Sequence, residues 1–476
     1  MHGSKCLRLW LILVAVTVFS PSPDMGNAQT TTTPLLQPAD VVYKGSFRMP
    51  PVAAGPDWSY GGYSLSHLPT GDPSGANDGY PGSLFGIGHS WYKMASEISI
   101  PSPVISATKN FQELPYAGTL QGFGDLTGGM KDRVVDPQGN VTLQYLPKQG
   151  SQGTDKLYWV VHQGYNVSGN DYLTAGWSEL TISNPQPKGM WHIGPWAYPY
   201  HSEGISEYLL EIPKTWADLN VPGKYLGAGR LRGGGCCGSG RGPSLFVFGP
   251  WKDGNPPADG ASLDAKVLLH YPQYPVDPNL PSGFVPQGPQ SFPGYQACDN
   301  WSGAAWVEST TKSAVLIVGR KALGKTRYGD PQPGDAEQTY GYHCDPYEPQ
   351  ILFYNPDDLA AVAKGQKATW EPKPYAVLKL AQYIWPSGSY WMGGVAYDRA
   401  NGLLYVVQRE AFFDAYASRP LVHVFSVGKG TTTTTTPPPT NTETGSGTTT
   451  PPTTPPPPPT PTSTGPLVAP KGLQVR

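Results

Sequence analysis

Three aspartates stand just ahead of small-residue stretches: Asp57 in "PDWSYGG", Asp125 in "GDLTGG" and Asp299 in "CDNWSG". Carboxylates converging on one cleft can act as general acid, base or nucleophile in glycoside cleavage. They can equally bind a cation, with a calcium ion on a central axis as the natural candidate. An aspartate at the start of a strand also caps a turn by accepting backbone N–H groups. Glu203, in "PYHSEGISEYLLEIPKTW" with His201 and Glu207, is a further candidate carboxylate. A second set follows apolar runs: His89, His162, Arg320 and Arg409 occupy matching places, with Pro250 and Trp251 in the corresponding place of another run. Arginines so placed suit an acidic ligand, and the histidines suit a metal only with carboxylate help. Trp58, Trp301, Tyr342 and Trp391, with His343, offer aromatic planes of the kind that stack on sugar rings.

The cysteines bear on the same residues. Cys6 lies in the N-terminal leader, which leaves Cys236, Cys237, Cys298 and Cys344. Four cysteines allow three pairings, and the lack of a CxxC spacing argues for disulfides over metal. The adjacent Cys236–Cys237 can close a ring on itself, leaving Cys298–Cys344. That second bridge would hold His343 and Asp345, in the insertion "RYGD…YGYHCDPYEPQ", close to Asp299. The stretch "GRLRGGGCCGSGRGPS" lacks the GxxxxGK[ST] spacing and a following helix, so it reads as a turn rather than a phosphate cradle.

These residues need a scaffold, and a repeated hairpin supplies it. In "YWMGGVAYDRANGLLYVVQRE", residues 390–410, a glycine pair opens a short strand, a turn follows, and an apolar strand returns. Similar units span Tyr60–His89, Thr127–His162, Gly227–Pro250 and Ser302–Arg320, with a further strand at unit ends such as "ASEISIP" and "LVHVFSV". A two-stranded hairpin cannot bury such strands alone. The expected fold is all-β, and the glycine pairs at Gly61–Gly62, Gly128–Gly129 and Gly393–Gly394 are expected on innermost strands, where crowding favours small side chains. A pair of β-sandwiches is the alternative arrangement. The pattern resembles the β-propeller superfold and is similar to the five-bladed glycosidases. That resemblance implies five blades of mostly four antiparallel strands over residues 38–428, with ligands met at one mouth of a central channel.

Composition and chain ends complete the reading. The 476 residues are 38% hydrophobic and 14% charged, with 58 Gly and 54 Pro, as expected of many strands and turns. A formal charge of −2 argues against nucleic acid or an anionic membrane surface as partner. Lys5 and Arg8 precede the apolar run Leu9–Phe19, too short to span a bilayer, and "GNA" ends at Ala28, so residues 1–28 read as a signal peptide and 29–37 as a disordered lead-in. Residues 429–465 are a Thr/Pro-rich spacer. "GPLVAPKGLQVR" resembles the start of a fibronectin type III domain, truncated at 466–476. The expectation is a secreted monomer with no membrane insertion, acting on a polysaccharide or cell-surface glycan. Glycoside hydrolysis and lectin-like binding are the two functions carried forward.

Overall fold

The computed structural model describes residues 33–428 except 52–54, 136–137, 165–168, 231–239, 250–254, 273–289, 310 and 415–416. The expected signal peptide, the spacer, the fibronectin-like end, Cys236, Cys237, Pro250 and Trp251 lie outside the described residues. A compact unit ends at Gly430.

The described chain is mostly strand, as its apolar runs require. "SAVLIVGRKA" and "LLYVVQREAFF" are too short and too rich in β-branched residues for buried helices, and they are covered on both faces. Turns between them are built from side chains that replace backbone partners. Between Asp398 and Leu403, Asp398 Oδ1 accepts the N–H groups of Ala400 and Asn401 at 3.0 and 3.1 Å. Gly402 then takes φ +64°, where a side chain would be strained.

Strand β1 (Val41–Arg48) comes first in the chain but belongs to the last sheet. The first sheet is β2 (Leu65–Leu68), β3 (Ser83–Ile87), β4 (Ala95–Ser99) and β5 (Thr119–Gly124). The second is β6 (Gln138–Leu146), β7 (Lys156–Gln163), β8 (Ala175–Ser178) and β9 (Lys188–Ile193). The third is β10 (Tyr208–Glu211), β11 (Leu226–Gly229), β12 (Leu245–Gly249) and β13 (Ser262–Leu269). A short parallel pairing of β13 with β9, through Ser262↔His192 and Leu263↔Ile193, joins the second and third into one eight-stranded sheet.

The fourth sheet is β14 (Asn300–Glu308), β15 (Ser313–Ala322), β18 (Tyr347–Tyr354) and β19 (Ala376–Lys379). Between β15 and β18 it carries a separate hairpin, β16 (Arg327–Gly329) and β17 (Gly341–His343). The fifth holds β20 (Met392–Asp398), β21 (Leu403–Phe413) and β22 (Ser418–Val427), completed by β1 from the other end of the chain. The pairing Val41↔Val427 through Arg48↔Leu421 is a non-covalent clasp between the two ends. Helices are short: α1 (Ser202–Ile205), α2 (Lys214–Asn220) and α3 (Pro356–Ala363).

The first strands of successive sheets pack against one another: β2 on β6, β6 on β10, β10 on β14, β14 on β20, and β20 back on β2. Apolar side chains fill the spaces between neighbouring sheets. Leu84, Ile98 and Leu65 of the first sheet meet Tyr405, Val407 and Val422 of the fifth. Val318, Ile351 and Phe353 of the fourth meet Val395, Val406 and Phe425 of the fifth.

Two expectations about phase change here. The third hairpin is not Gly227–Pro250, because Tyr208–Glu211 precedes it and pairs with Leu226–Gly229 as the first strand of its sheet. "SEYLLE" is too short to announce itself beside the longer "SLFVF" run. Of the glycine pairs, Gly393–Gly394 lies in β20, whereas Gly61–Gly62 stands just before β2, and Gly128–Gly129 sits in a turn ahead of a 3-10 segment. Where β20 meets the Gly62 segment, a Cβ on Gly393 would come within 2.1 Å of the Gly62 carbonyl oxygen. Close backbone approach explains the glycine there; left-handed φ values of +57° and +83° explain Gly128 and Gly129.

Candidate functional site

The three aspartates are each engaged by donors of their own, Asp57 and Asp125 chiefly within their turns and Asp299 chiefly from β15. Asp57 accepts the Ser59 N–H at 3.0 Å and the Ser59 hydroxyl at 2.6 Å, with Arg419 3.4 Å away. Asp125 accepts the Thr127 N–H at 2.8 Å, the Thr127 hydroxyl at 2.7 Å, the Gly129 N–H at 3.0 Å and Lys131 Nζ at 2.6 Å. Burial raises its pKa, but the Lys131 and Thr127 bonds outweigh that, so its carboxyl sits below the usual range. Asp299 is wholly buried, accepting from Lys321 Nζ at 2.7 Å and from the N–H groups of Ala322 and Gln296 at 3.0 Å. Burial pushes its pKa up to about 6 against these donors. Trp58 and Trp301 are core residues, packed on Phe123 and Phe292. His89 accepts the Trp91 N–H at 3.0 Å and packs between Tyr60 and Tyr92.

A different set converges. At one end of the first strands of the sheets lies a cavity of about 540 Å³ whose lining includes Tyr63, His162, Glu207, Arg230, Trp391 and Arg409. Hairpin register explains the convergence. In four sheets the residue at the start of the first strand faces, across the ladder, the residue at the end of the second. Asn300 pairs with Arg320. The Arg409 N–H donates to the Trp391 carbonyl, and the Glu207 N–H to the Gly229 carbonyl beside Arg230. Asn140 precedes Val141, the partner of Val161, and so stands beside His162. In the first sheet Leu65 pairs with Gly86, so Tyr63 reaches the cavity from the same position and Gly88 faces it.

The cavity is dense in charge and aromatic surface. His162 Nε2 lies 2.7 Å from Glu207 Oε2, both side chains nearly buried. Arg230 Nη2 donates to Glu203 Oε1 at 2.9 Å, and burial raises the Glu203 pKa against the pull of Arg230. Glu203 itself sits in α1 behind Arg230 and away from the cavity lining. Arg320 donates to the Ser389 carbonyl at 2.6 Å and pairs with Glu337 from the insertion of the fourth sheet. Its guanidinium lies 3.4 Å over the Trp391 ring and 4.1 Å over Tyr347.

Arg409 differs from the other two arginines. Its guanidinium lies 3.4 Å over the Tyr63 ring and 5.4 Å from that of Trp391, and it donates to the Tyr63 hydroxyl. Among the described residues no carboxylate pairs with it. Its Nε is buried with no hydrogen-bond partner, and only 9% of the residue is exposed. Its guanidinium is thus fixed between aromatic faces with no carboxylate counter-charge among the described residues.

The structure therefore brings together His162, Arg409 and Trp391, with Arg320 directly behind Trp391, and leaves out Asp57, Asp125, Asp299, His89, Trp58 and Trp301. Tyr342 packs on Tyr328 in the insertion, with the buried His343 beside it. Cys298 and Cys344 are bridged with Cα atoms 6.0 Å apart. Tyr63, Arg230, Asn300 and Glu337 were missed. The rule that finds three of them is positional: they stand where the first two strands of a sheet begin and end together, and for Arg230 that position is visible only once the phase of the third unit is known. Glu337 arrives from an insertion and carries no repeat signal. Neither a protein-family model nor a curated protein matches the chain. Among the described residues, no helix is long and apolar enough to cross a membrane.

Proposed function

We propose that the protein is an exported, monomeric, five-bladed β-propeller whose central pocket binds an acidic sugar unit of a polysaccharide or cell-surface glycan. The five sheets serve as blades, the cyclic packing of β2, β6, β10, β14 and β20 forms the channel, and β1 locks the ring. One observation carries the ligand class: Arg409 sits stacked in the pocket without a carboxylate partner. A carboxylate or sulfate on a sugar would complete it with charge-assisted hydrogen bonds, while Tyr63 and Trp391 meet the apolar face of the ring. Arg230 and Arg320 are already paired with Glu203 and Glu337, so Arg409 is the arginine at the pocket left without a carboxylate among the described residues.

Hydrolysis is the second reading, and the His162–Glu207 contact favours it. A carboxylate 2.7 Å from an imidazole can pass a proton to or from a glycosidic oxygen held above it. The turn-bound Asp57 and Asp125 are poor candidates for that work, since each already has its oxygens engaged by neighbouring donors. A calcium ion on the axis remains a proposal without a ligand set among these residues.

A glycan array carrying uronate, sialylated, sulfated and neutral sugars tests the reading. Retention of acidic glycans by the wild type, lost in Arg409→Met, is the expected result. Equal retention of neutral sugars, or retention of acidic ones unchanged by Arg409→Met, overturns it. Product analysis on retained glycans, with His162→Asn as control, separates hydrolysis from binding.

A further inference from the structure

The insertion of the fourth sheet holds a second group of electron-pair donors. Asp335, His343 and Asp345 each present one ligand atom, and these atoms lie within 4.8 Å of one another. The pairing of Arg327 with His343 in the β16–β17 hairpin brings the imidazole inward, where it is 2% exposed. Its Nε2 stands 3.1 Å from the Gly329 carbonyl oxygen. A carbonyl only accepts, so Nε2 carries the proton, and in the neutral ring Nδ1 keeps its lone pair.

That Nδ1 is buried, lies 3.2 Å from Asp335 Oδ2, and makes no hydrogen bond among the described residues. Asp345 Oδ1 accepts the Ala336 N–H at 2.7 Å, while its Oδ2 is also buried without a hydrogen-bond partner. Asp335 Oδ2, the oxygen that faces His343, also accepts from Arg327 and from the Gln332 N–H at 2.6 Å, which fix the direction of its carboxylate. Lone pairs facing one another in a buried space repel unless a positive charge stands between them. Arg327 offsets the charge of Asp335 from one side; for His343 Nδ1 and Asp345 Oδ2, either a second proton on the ring or a metal cation can supply it.

We propose that Asp335, His343 and Asp345 form a divalent-cation site of the zinc class that fastens the insertion. One imidazole with two carboxylates suits a borderline cation better than calcium or magnesium, which prefer oxygen alone. An imidazole anchored by its other nitrogen to a backbone carbonyl is the outer support that orients a metal-binding histidine. The segment between the ligands includes Ala336–Thr339, which lines the central cavity, and Glu337, which holds Arg320. Cys344, between two of the ligands, is tied to Cys298. The cation thus fixes the pocket wall from the loop side while the disulfide fixes it from the core, whatever the pocket binds.

The test uses the full chain, stripped with chelator, dialysed, and titrated calorimetrically with Zn²⁺ alone, with Ca²⁺ in a parallel titration. The expected result is saturable binding of one Zn²⁺ per chain. Asp335→Asn and Asp345→Asn should each weaken it by roughly tenfold or more. No saturable Zn²⁺ binding, tighter binding of Ca²⁺, or an affinity that neither substitution changes overturns the proposal. Should near-UV circular dichroism show both variants unfolded, zinc-edge X-ray absorption of the wild type decides. A single imidazole with oxygen neighbours supports the site; two or more imidazoles, or sulfur, refute it.

Discussion

Asp125 and Arg409 occupy opposite kinds of place, although both are ionised residues near the ends of strands. The carboxylate of Asp125 is surrounded by donors from its own turn and by Lys131, all within six residues. The guanidinium of Arg409 is held by an aromatic ring from another sheet, with a buried donor left over. The first group is finished by local structure and has no capacity to spare. The second is positioned by distant structure and keeps capacity for a ligand. Repetition of a residue type before a turn therefore marks the turn, whereas repetition of a position at a hairpin's end marks the cavity.

The largest expected effect comes from cutting the covalent link between the two kinds of region, because Cys298 adjoins the Asp299 turn and Cys344 the pocket insertion. Replacing both cysteines by serine should lower unfolding free energy by about 4 kcal/mol, as loop-closure entropy gives for a separation of 46 residues. Chemical denaturation measures it, and a change under 1 kcal/mol would show that packing alone holds these segments.

Next in size is Arg409→Met, expected to weaken acidic-glycan binding roughly 100-fold, or about 3 kcal/mol, while the thermal midpoint stays near that of the wild type. Arg409→Lys should recover little of it, since an ammonium lacks the planar fork. Full recovery by lysine would mean that the guanidinium's stacked geometry does not matter.

A smaller effect follows from Asp299. Its folded-state pKa of about 6 lies above the ordinary carboxylate value of 3.8. Between these values the folded chain binds the proton more tightly than the unfolded chain. Stability from this group is therefore present below about pH 4 and lost as pH rises through about 6, on the order of 3 kcal/mol. Asp299→Asn should flatten that part of the stability–pH curve. A curve unchanged by the substitution would place the carboxylate in an ordinary solvated setting.

Smallest are the turn caps. Asp57→Asn and Asp125→Asn should each cost about 1 kcal/mol of stability and leave glycan retention unaltered. Loss of retention without loss of stability, read from the array and the thermal midpoint together, would return these aspartates to the binding site and erase the contrast with Arg409.

Much of this was legible before any coordinates. Apolar five-residue runs between Gly- and Asp-rich turns imply strands, and the even, exported-type cysteine set implies a disulfide, since both depend on local chemistry. His162, Arg320 and Arg409 stood out because each follows the apolar run of a hairpin's second strand. The third unit went out of phase because "YLLE" and "LGAG" are short and carry little pattern, so Glu207 and Arg230 were not aligned with their counterparts.

The sequence by itself determined strand-forming segments and turn chemistry, because those depend on neighbours a few residues away, while it left turn capping by Asp57 and Asp125 as one of three readings. Only the tertiary structure decided which charges share a cavity. That depends on register between strands and on the packing of β20 back against β2. Such contacts join residues far apart along the chain, and no local propensity encodes the distance between them.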